Sequence, residues 1–292
     1  MTAAVALVAL AAAPARTADS YEKVEGWAKL PAGMEWGQVI SVDMAPDGTI
    51  WAFHRAEPPI LRFDADGNLI QSFGEGLFVR PHGFHIDRDG FIWATDQLGR
   101  DGRGHQVFKF NQDGEVLLTL GTKGIGGEGP DTFNGPTDVA IGANGDIFVT
   151  DGHFNNRVVK FSEDGSFIQA WGSKGTAPGQ FDLPHTIAID SQGRVFVGDR
   201  SNARIQIFDQ NGTFLDQWDQ FGRVSGILIT PDDTIYVADY QQHQALLIGS
   251  TKDGSIYTRI ESVIAEGIAI DRMGNVYAAE VAGRILTKFE KQ

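Results

Sequence analysis

Cysteine is absent from the 292-residue sequence, which excludes disulfides, thiol nucleophiles and cysteine-based zinc or iron–sulfur sites. Positive charge is scarce: 24 Lys and Arg stand against 38 Asp and Glu, a formal net charge of -14 at pH 7. Such a surface repels phosphates, so nucleic acid and acidic membranes are excluded as partners. Long apolar runs are missing as well. The one candidate, residues 1–13, is shorter than the roughly 20 residues that a membrane-spanning helix needs. It is built from Ala, Val and Leu and leads into Ala13-Pro14-Ala15, a small-residue cleavage pattern. Residues 1–15 are therefore expected to be a signal peptide, and the protein periplasmic or secreted. Glycine is what the chain has in plenty, 36 residues of it, pointing to tight turns between short strands.

The glycines punctuate a repeat. Residues 86–96 and 189–199 each show an alternating apolar run, an acidic turn with glycine, and a second run ending in Asp96 or Asp199. Residues 42–54, 141–151, 229–239 and 270–280 follow the same plan, and a third and fourth run follow most copies. Period-2 alternation over short runs means strands. Four antiparallel strands every 40–50 residues or so means propeller blades. The expected fold is all-β, a six-bladed β-propeller over residues 21–292. The last copy lacks a fourth strand, and residues 24–30 are expected to supply it and close the ring.

The repeat register then nominates a site. The residue opening each first strand and those following each second strand share one end of the propeller. The opening positions are Gln38, His82, Thr137, His185, Ser225 and Glu266. Alternate blades lie about 120° apart in a six-fold ring, so His82, His185 and Glu266 converge on the axis as expected ligands of one divalent transition metal. Zn²⁺ is the first choice, with Fe²⁺ or Mn²⁺ compatible. Arg55 and Arg200 on the rim could clamp a substrate carboxylate. His153 and Tyr240 are the candidates for proton transfer. His54, His85, His105 and His243 fall outside the opening slot, and the acids ending second strands (Asp96, Asp151, Asp199, Asp239) are expected to hydrogen-bond loop backbone.

Several segments carry a family resemblance: Phe53-His54-Arg55-Ala56, Arg80-Pro81-His82-Gly83, Pro136-Thr137-Asp138, Asp151-Gly152-His153, Leu183-Pro184-His185 and Asp199-Arg200-Ser201-Asn202. Over residues 41–289 the chain resembles NHL-repeat propellers, and more closely the peptidyl-α-hydroxyglycine α-amidating lyases. The resemblance implies a zinc centre, with His82 and His185 as two of three histidine ligands and Arg55 and Arg200 around substrate. The chain departs from the family at two places. Ala265-Glu266-Gly267 replaces Pro-His-Asp at the third ligand, and His153 replaces the tyrosine that acts as base. The Asp through which the family holds a structural calcium is Gly267 here, so that ion is not carried over.

The function expected from these residues is an exported metal-dependent lyase, cleaving a C–X bond beside a substrate hydroxyl. It would act as a monomer on a small molecule, one that could carry a carboxylate. A metal-dependent ester or lactone hydrolase and a non-catalytic binding propeller are the alternatives.

Overall fold

The computed structural model describes residues 19–292, so the expected signal segment lies outside the described residues. Among the described residues the strands form six four-stranded antiparallel sheets. The innermost strands are Val39–Met44, Pro81–Ile86, Pro136–Ile141, Pro184–Ile189, Val224–Ile229 and Gly267–Ile270. They contact one another in a closed ring around the axis. The predicted six-bladed propeller is the observed architecture. No described helix is long and apolar enough to cross a membrane.

Local chemistry explains the sharp return between first and second strands. Asp87 Oδ1 accepts the N–H groups of Asp89 and Phe91 at 3.0 and 2.9 Å. Asp190 repeats this with Gln192 and Arg194. Gly90 and Gly193 close these turns at φ +84 and +78, where a Cβ would be strained.

Burial grades outward along each blade. Every residue of the second strands Ile50–His54, Ile92–Asp96, Ile147–Asp151 and Val195–Asp199 is buried. Outer strands such as Phe167–Trp171 bury none of their residues fully and expose Phe167, Ile168 and Ala170. Blades are glued face to face by aromatic side chains: Phe53 of the first blade meets Phe78 at 4.9 Å and Phe84 at 5.4 Å between ring centroids. Burying each such ring contributes roughly 2–3 kcal/mol.

Closure uses the N-terminal segment, but earlier residues than expected. Tyr21–Val24 pairs antiparallel with Ile285–Lys291, with Tyr21 opposite Lys291 and Val24 opposite Lys288. Only Val24 of the expected 24–30 stretch lies in the strand. Gly26, at φ +65, turns the chain away, and Trp27 drops into the seam between last and first blades. There its ring stands edge-on to Tyr277 at 4.8 Å, and its Nε1 donates to the Ala65 carbonyl at 3.3 Å. The apolar pattern of residues 24–30 therefore records a plug between blades rather than a strand.

Candidate metal centre

The opening residues of the inner strands stitch neighbouring blades together. His82 Nδ1 bonds the Thr137 carbonyl at 2.7 Å, and Thr137 Oγ1 donates to the Pro184 carbonyl at 2.8 Å. His185 Nδ1 bonds the Ser225 carbonyl at 2.8 Å, and Ser225 Oγ donates to the Ala265 carbonyl at 2.7 Å. A carbonyl only accepts, so the Nδ1 atoms of both histidines carry the proton. Each Nε2 is therefore the unprotonated nitrogen, and a carbonyl on Nδ1 is the arrangement common to metal-ligating imidazoles.

His153 completes the group from the rim. It follows Gly152, where a Cβ would stand 1.9 Å from the Pro184 carbonyl oxygen, so only glycine lets the chain pass this close to the next blade. That approach aims the His153 ring inward, with its Nε2 2.9 Å from His82 Nε2. The ring centroids of His82 lie 4.8 Å from both His153 and His185. One nitrogen from each of His82, His153 and His185 lies within 4.8 Å of the others. Two nitrogens bound to one tetrahedral Zn²⁺ stand about 3.3 Å apart. Three convergent neutral imidazoles with nitrogens within 4.8 Å of one another could hold such an ion after a small inward shift.

The centre differs from the set expected in the sequence. Glu266 opens the sixth inner strand as foreseen, and its carboxylate stands 3.6 Å from His185 Nε2. It is engaged elsewhere, however. Arg200 grips both its oxygens, Nη1 to Oε2 and Nη2 to Oε1, each at 3.2 Å. Arg200 Nη1 also donates to His185 Nε2 at 2.8 Å. The third member of the metal-capable group is thus His153, expected as a proton carrier, while Glu266 is an ion-pair partner in the same pocket. Tyr240 does not join the histidines; its ring lies under the Arg200 guanidinium, 4.9 Å from Cζ to centroid. Arg55 sits on the other side of the mouth, where Nε donates to the Pro81 carbonyl at 3.0 Å and Nη1 to Gln38 Oε1 at 2.9 Å.

Electrostatics keep the histidines neutral. Burial, reinforced by Arg200, Arg55 and Arg80, lowers His153 to about 4. Burial first, then the crowding of the other two imidazoles and Arg55, holds His82 well below the ordinary imidazole value, and burial followed by Arg200 and His153 does the same for His185. Burial pushes the Glu266 carboxyl up, against the pull of Arg200 and Arg55. In the metal-free protein, His153 is expected to titrate by NMR near 4 instead of 6.5. Between those values the unfolded chain takes the proton and the folded chain does not, so stability falls as pH drops. Relative to a His153→Gln variant, denaturant titrations at pH 7 and pH 4 should differ by about 3 kcal/mol. An equal gap at both pH values would contradict this.

The other expectations resolve as follows. Asp96 accepts the N–H groups of Val79 and Arg80, and Asp239 those of Gln241, Gln242 and His243. His54 and His85 are tied locally, to Gly37 and to Asp43. At Gly267 a Cβ would stand 2.7 Å from Ser41 Cα, so the fold has closed over the position of the family's calcium carboxylate. His153 lies at the end of the propeller where the register put it, and it enters from a loop, with its ring among the histidines of the inner strands. The reciprocal exchange of imidazole for phenol and carboxylate for imidazole at positions 153 and 266 was the available signal.

Comparison with known proteins places this geometry in a family. The NHL repeat family model matches residues 133–161 and 181–208. NHL repeat-containing protein 3 of Mus musculus is 31% identical over 266 residues, covering 83% of this chain and 76% of the relative. Peptidyl-α-hydroxyglycine α-amidating lyase 1 of Drosophila melanogaster is 37% identical over 167 residues, 53% of this chain and 30% of that protein. Among solved structures, a streptogramin B lyase superimposes with a TM-score of 0.62 at 15% identity, covering 94% of this chain and 98% of that one. That likeness concerns the fold alone. With six blades, the matched repeats and relatives aligned over most of their length, the chain belongs to the NHL-repeat propeller family that includes NHL repeat-containing protein 3 and is related to the amidating lyases.

Proposed function

We propose that the protein is an exported metal-dependent lyase whose centre is His82, His153 and His185. The observation that carries this reading is the convergence of three buried or half-buried imidazole nitrogens within 4.8 Å of one another. A bound divalent ion, Zn²⁺ before Fe²⁺ or Mn²⁺ for an all-imidazole set, would supply Lewis acidity toward a substrate hydroxyl. Glu266 accepts the hydroxyl proton as the carbonyl forms and returns it to the departing group as the C–X bond breaks, a role suited to a carboxyl that burial raises. Arg200 holds both Glu266 oxygens and so aims this base, while the Tyr240 ring fixes the Arg200 plane. Arg200 and the ion cannot share the His185 Nε2 lone pair, so loading leaves Arg200 on Glu266 alone. Arg55 places positive charge where the departing fragment gains negative charge.

The relatives named amidating lyases support α-hydroxyglycine compounds as the first substrates to try. Zinc-loaded protein given an N-acylated α-hydroxyglycine is expected to release glyoxylate faster than chelator-stripped protein. Equal rates in a preparation that demonstrably holds zinc would sink the lyase. The likeness to NHL repeat-containing protein 3, a name that states no reaction, supports the second reading, a binding propeller that keeps the centre for structure.

A further inference from the structure

The axial channel that runs on from the histidine centre holds titratable groups that the proposed chemistry does not use. Its volume is about 60 Å³, room for a few waters. Asp43, His85 and Asp138 face it from the first three inner strands. Both carboxylates reach across to the next blade. Asp43 Oδ2 accepts the Ile86 N–H at 2.7 Å and stands 3.1 Å from His85 Nδ1. Asp138 Oδ2 accepts Thr186 Oγ1 at 2.8 Å and the Ile187 N–H at 3.1 Å, and Thr186 Oγ1 accepts the Ile227 N–H at 3.1 Å. Gly83 lets Asp138 press against the second inner strand, since a Cβ there would stand 2.9 Å from Asp138 Oδ1. Two acids therefore flank the one imidazole of this channel segment. A structural calcium does not fit the same space. Gly267, Ile268 and Ala269 give the sixth inner strand no carboxylate there, and Ser41 Oγ stands 2.8 Å from where a Cβ at 267 would lie. Among the described residues, His82, His153 and His185 are the group of three placed to hold an ion, and Asp43, His85 and Asp138 are not a second one.

We propose that protonated His85, held by Asp43 and Asp138, is the cation of this channel and takes the place of the structural calcium of the amidating lyases. The ring of blades is then locked on its axis by a proton instead of a metal. Burial works against the imidazolium, but the Asp43 hydrogen bond and charge, then Asp138 and Asp87, outweigh it and raise His85 above 6.5. Burial raises Asp138 to about 6, so it is ionised at neutral pH and faces the imidazolium as a carboxylate. The other channel walls bring no lysine or arginine among the described residues. At the upper end His82 and His185 are neutral and Glu266 is paired with Arg200. At the lower end His85 borders a second cavity. There Lys109 lies over the Phe91 ring at 4.1 Å, Arg88 donates to the Ala143 carbonyl and Asp190 is paired with Arg194. Asp89 and Glu163, also on that cavity, are exposed to solvent.

Between 6.5 and its raised midpoint the folded chain keeps a proton that the unfolded chain has released. His85 therefore adds stability at acid pH, and that stability is lost as the pH rises through the folded midpoint. The test uses metal-free full-length protein with its seven histidines labelled at Cε1 and followed by NMR. One resonance is expected to titrate above 6.5. Asp43→Asn, which keeps the volume and removes the charge, should lower that same resonance by about one unit, a roughly ten-fold loss of proton affinity. Urea titrations of His85→Gln and the unaltered protein give an independent reading. The gap between their midpoints should be larger at about pH 5.5 than at about pH 9. Millimolar calcium should leave the midpoint of the unaltered protein where it is. A set of imidazoles in which Asp43→Asn moves none, a gap equal at both pH values, or a midpoint raised by calcium would overturn the proposal. Neither zinc nor turnover enters the experiment, so its outcome is independent of the lyase reading.

Discussion

His153→Ala is expected to abolish stoichiometric zinc binding, while Glu266→Gln keeps one ion per chain through dialysis. Removing His153 takes away one of three nitrogens that meet within 4.8 Å, leaving two imidazoles and no rigid third donor. An affinity loss of about a hundred-fold or more follows, since even outer-shell changes cost about 10–100-fold. Glu266 is different because both its oxygens are already bound by Arg200. The amide keeps the volume and one acceptor, so zinc affinity should stay within about ten-fold. Elemental analysis of the two variants after dialysis against a weak chelator gives the answer. Zinc retained by His153→Ala but lost from Glu266→Gln would restore the ligand set His82, His185 and Glu266.

The repeat made the fold readable, and the reason is chemical. Each blade carries its own turn residues, such as Asp87 with Gly90 and Asp190 with Gly193, so local signals recur in step with the architecture. The inner-strand register likewise exposed His82 and His185, whose equivalent places in alternate blades follow from counting. Counting also placed His153 on the same rim, but as a proton carrier, and did not show how far inward its ring reaches. His153 enters from a loop whose path depends on Gly152 passing so close to the next blade that a Cβ would stand 1.9 Å from the Pro184 carbonyl oxygen, a long-range contact without a periodic signature. Glu266 stood in the expected slot, but its ion pair with Arg200 depends on a rim residue from another blade. The closing strand was displaced for a related reason: Trp27 has the apolar character of an outer strand end, yet Gly26 sends it into the gap beside Tyr277.

Asp199→Ala is expected to be the most destabilising substitution near the site, at about 3–5 kcal/mol, because it strands a buried guanidinium. Asp199 is fully buried and accepts the Asp182 N–H at 2.7 Å, Asn202 Nδ2 at 2.8 Å and Arg204 Nε at 2.8 Å. Arg204, itself buried, keeps its bonds to the Thr176 and Gln180 carbonyls but loses its only carboxylate partner among the described residues. Asp96 occupies the equivalent place in the second blade and accepts from two backbone N–H groups without an arginine. Asp96→Ala should therefore cost only the unmet donors, about 1–3 kcal/mol. Urea titrations of the two variants separate the cases, and equal losses would show that the Arg204 charge is not what Asp199 balances. A functional consequence accompanies the larger loss. The turn Arg200–Asn202 begins at Asp199 and is tied back to it through Asn202, so releasing it frees Arg200 from its alignment on Glu266 and His185. Under conditions where Asp199→Ala remains folded, its zinc affinity should hold while the glyoxylate release proposed above falls, since the three histidines keep their own carbonyl and glycine supports and only the proposed base loses its guide.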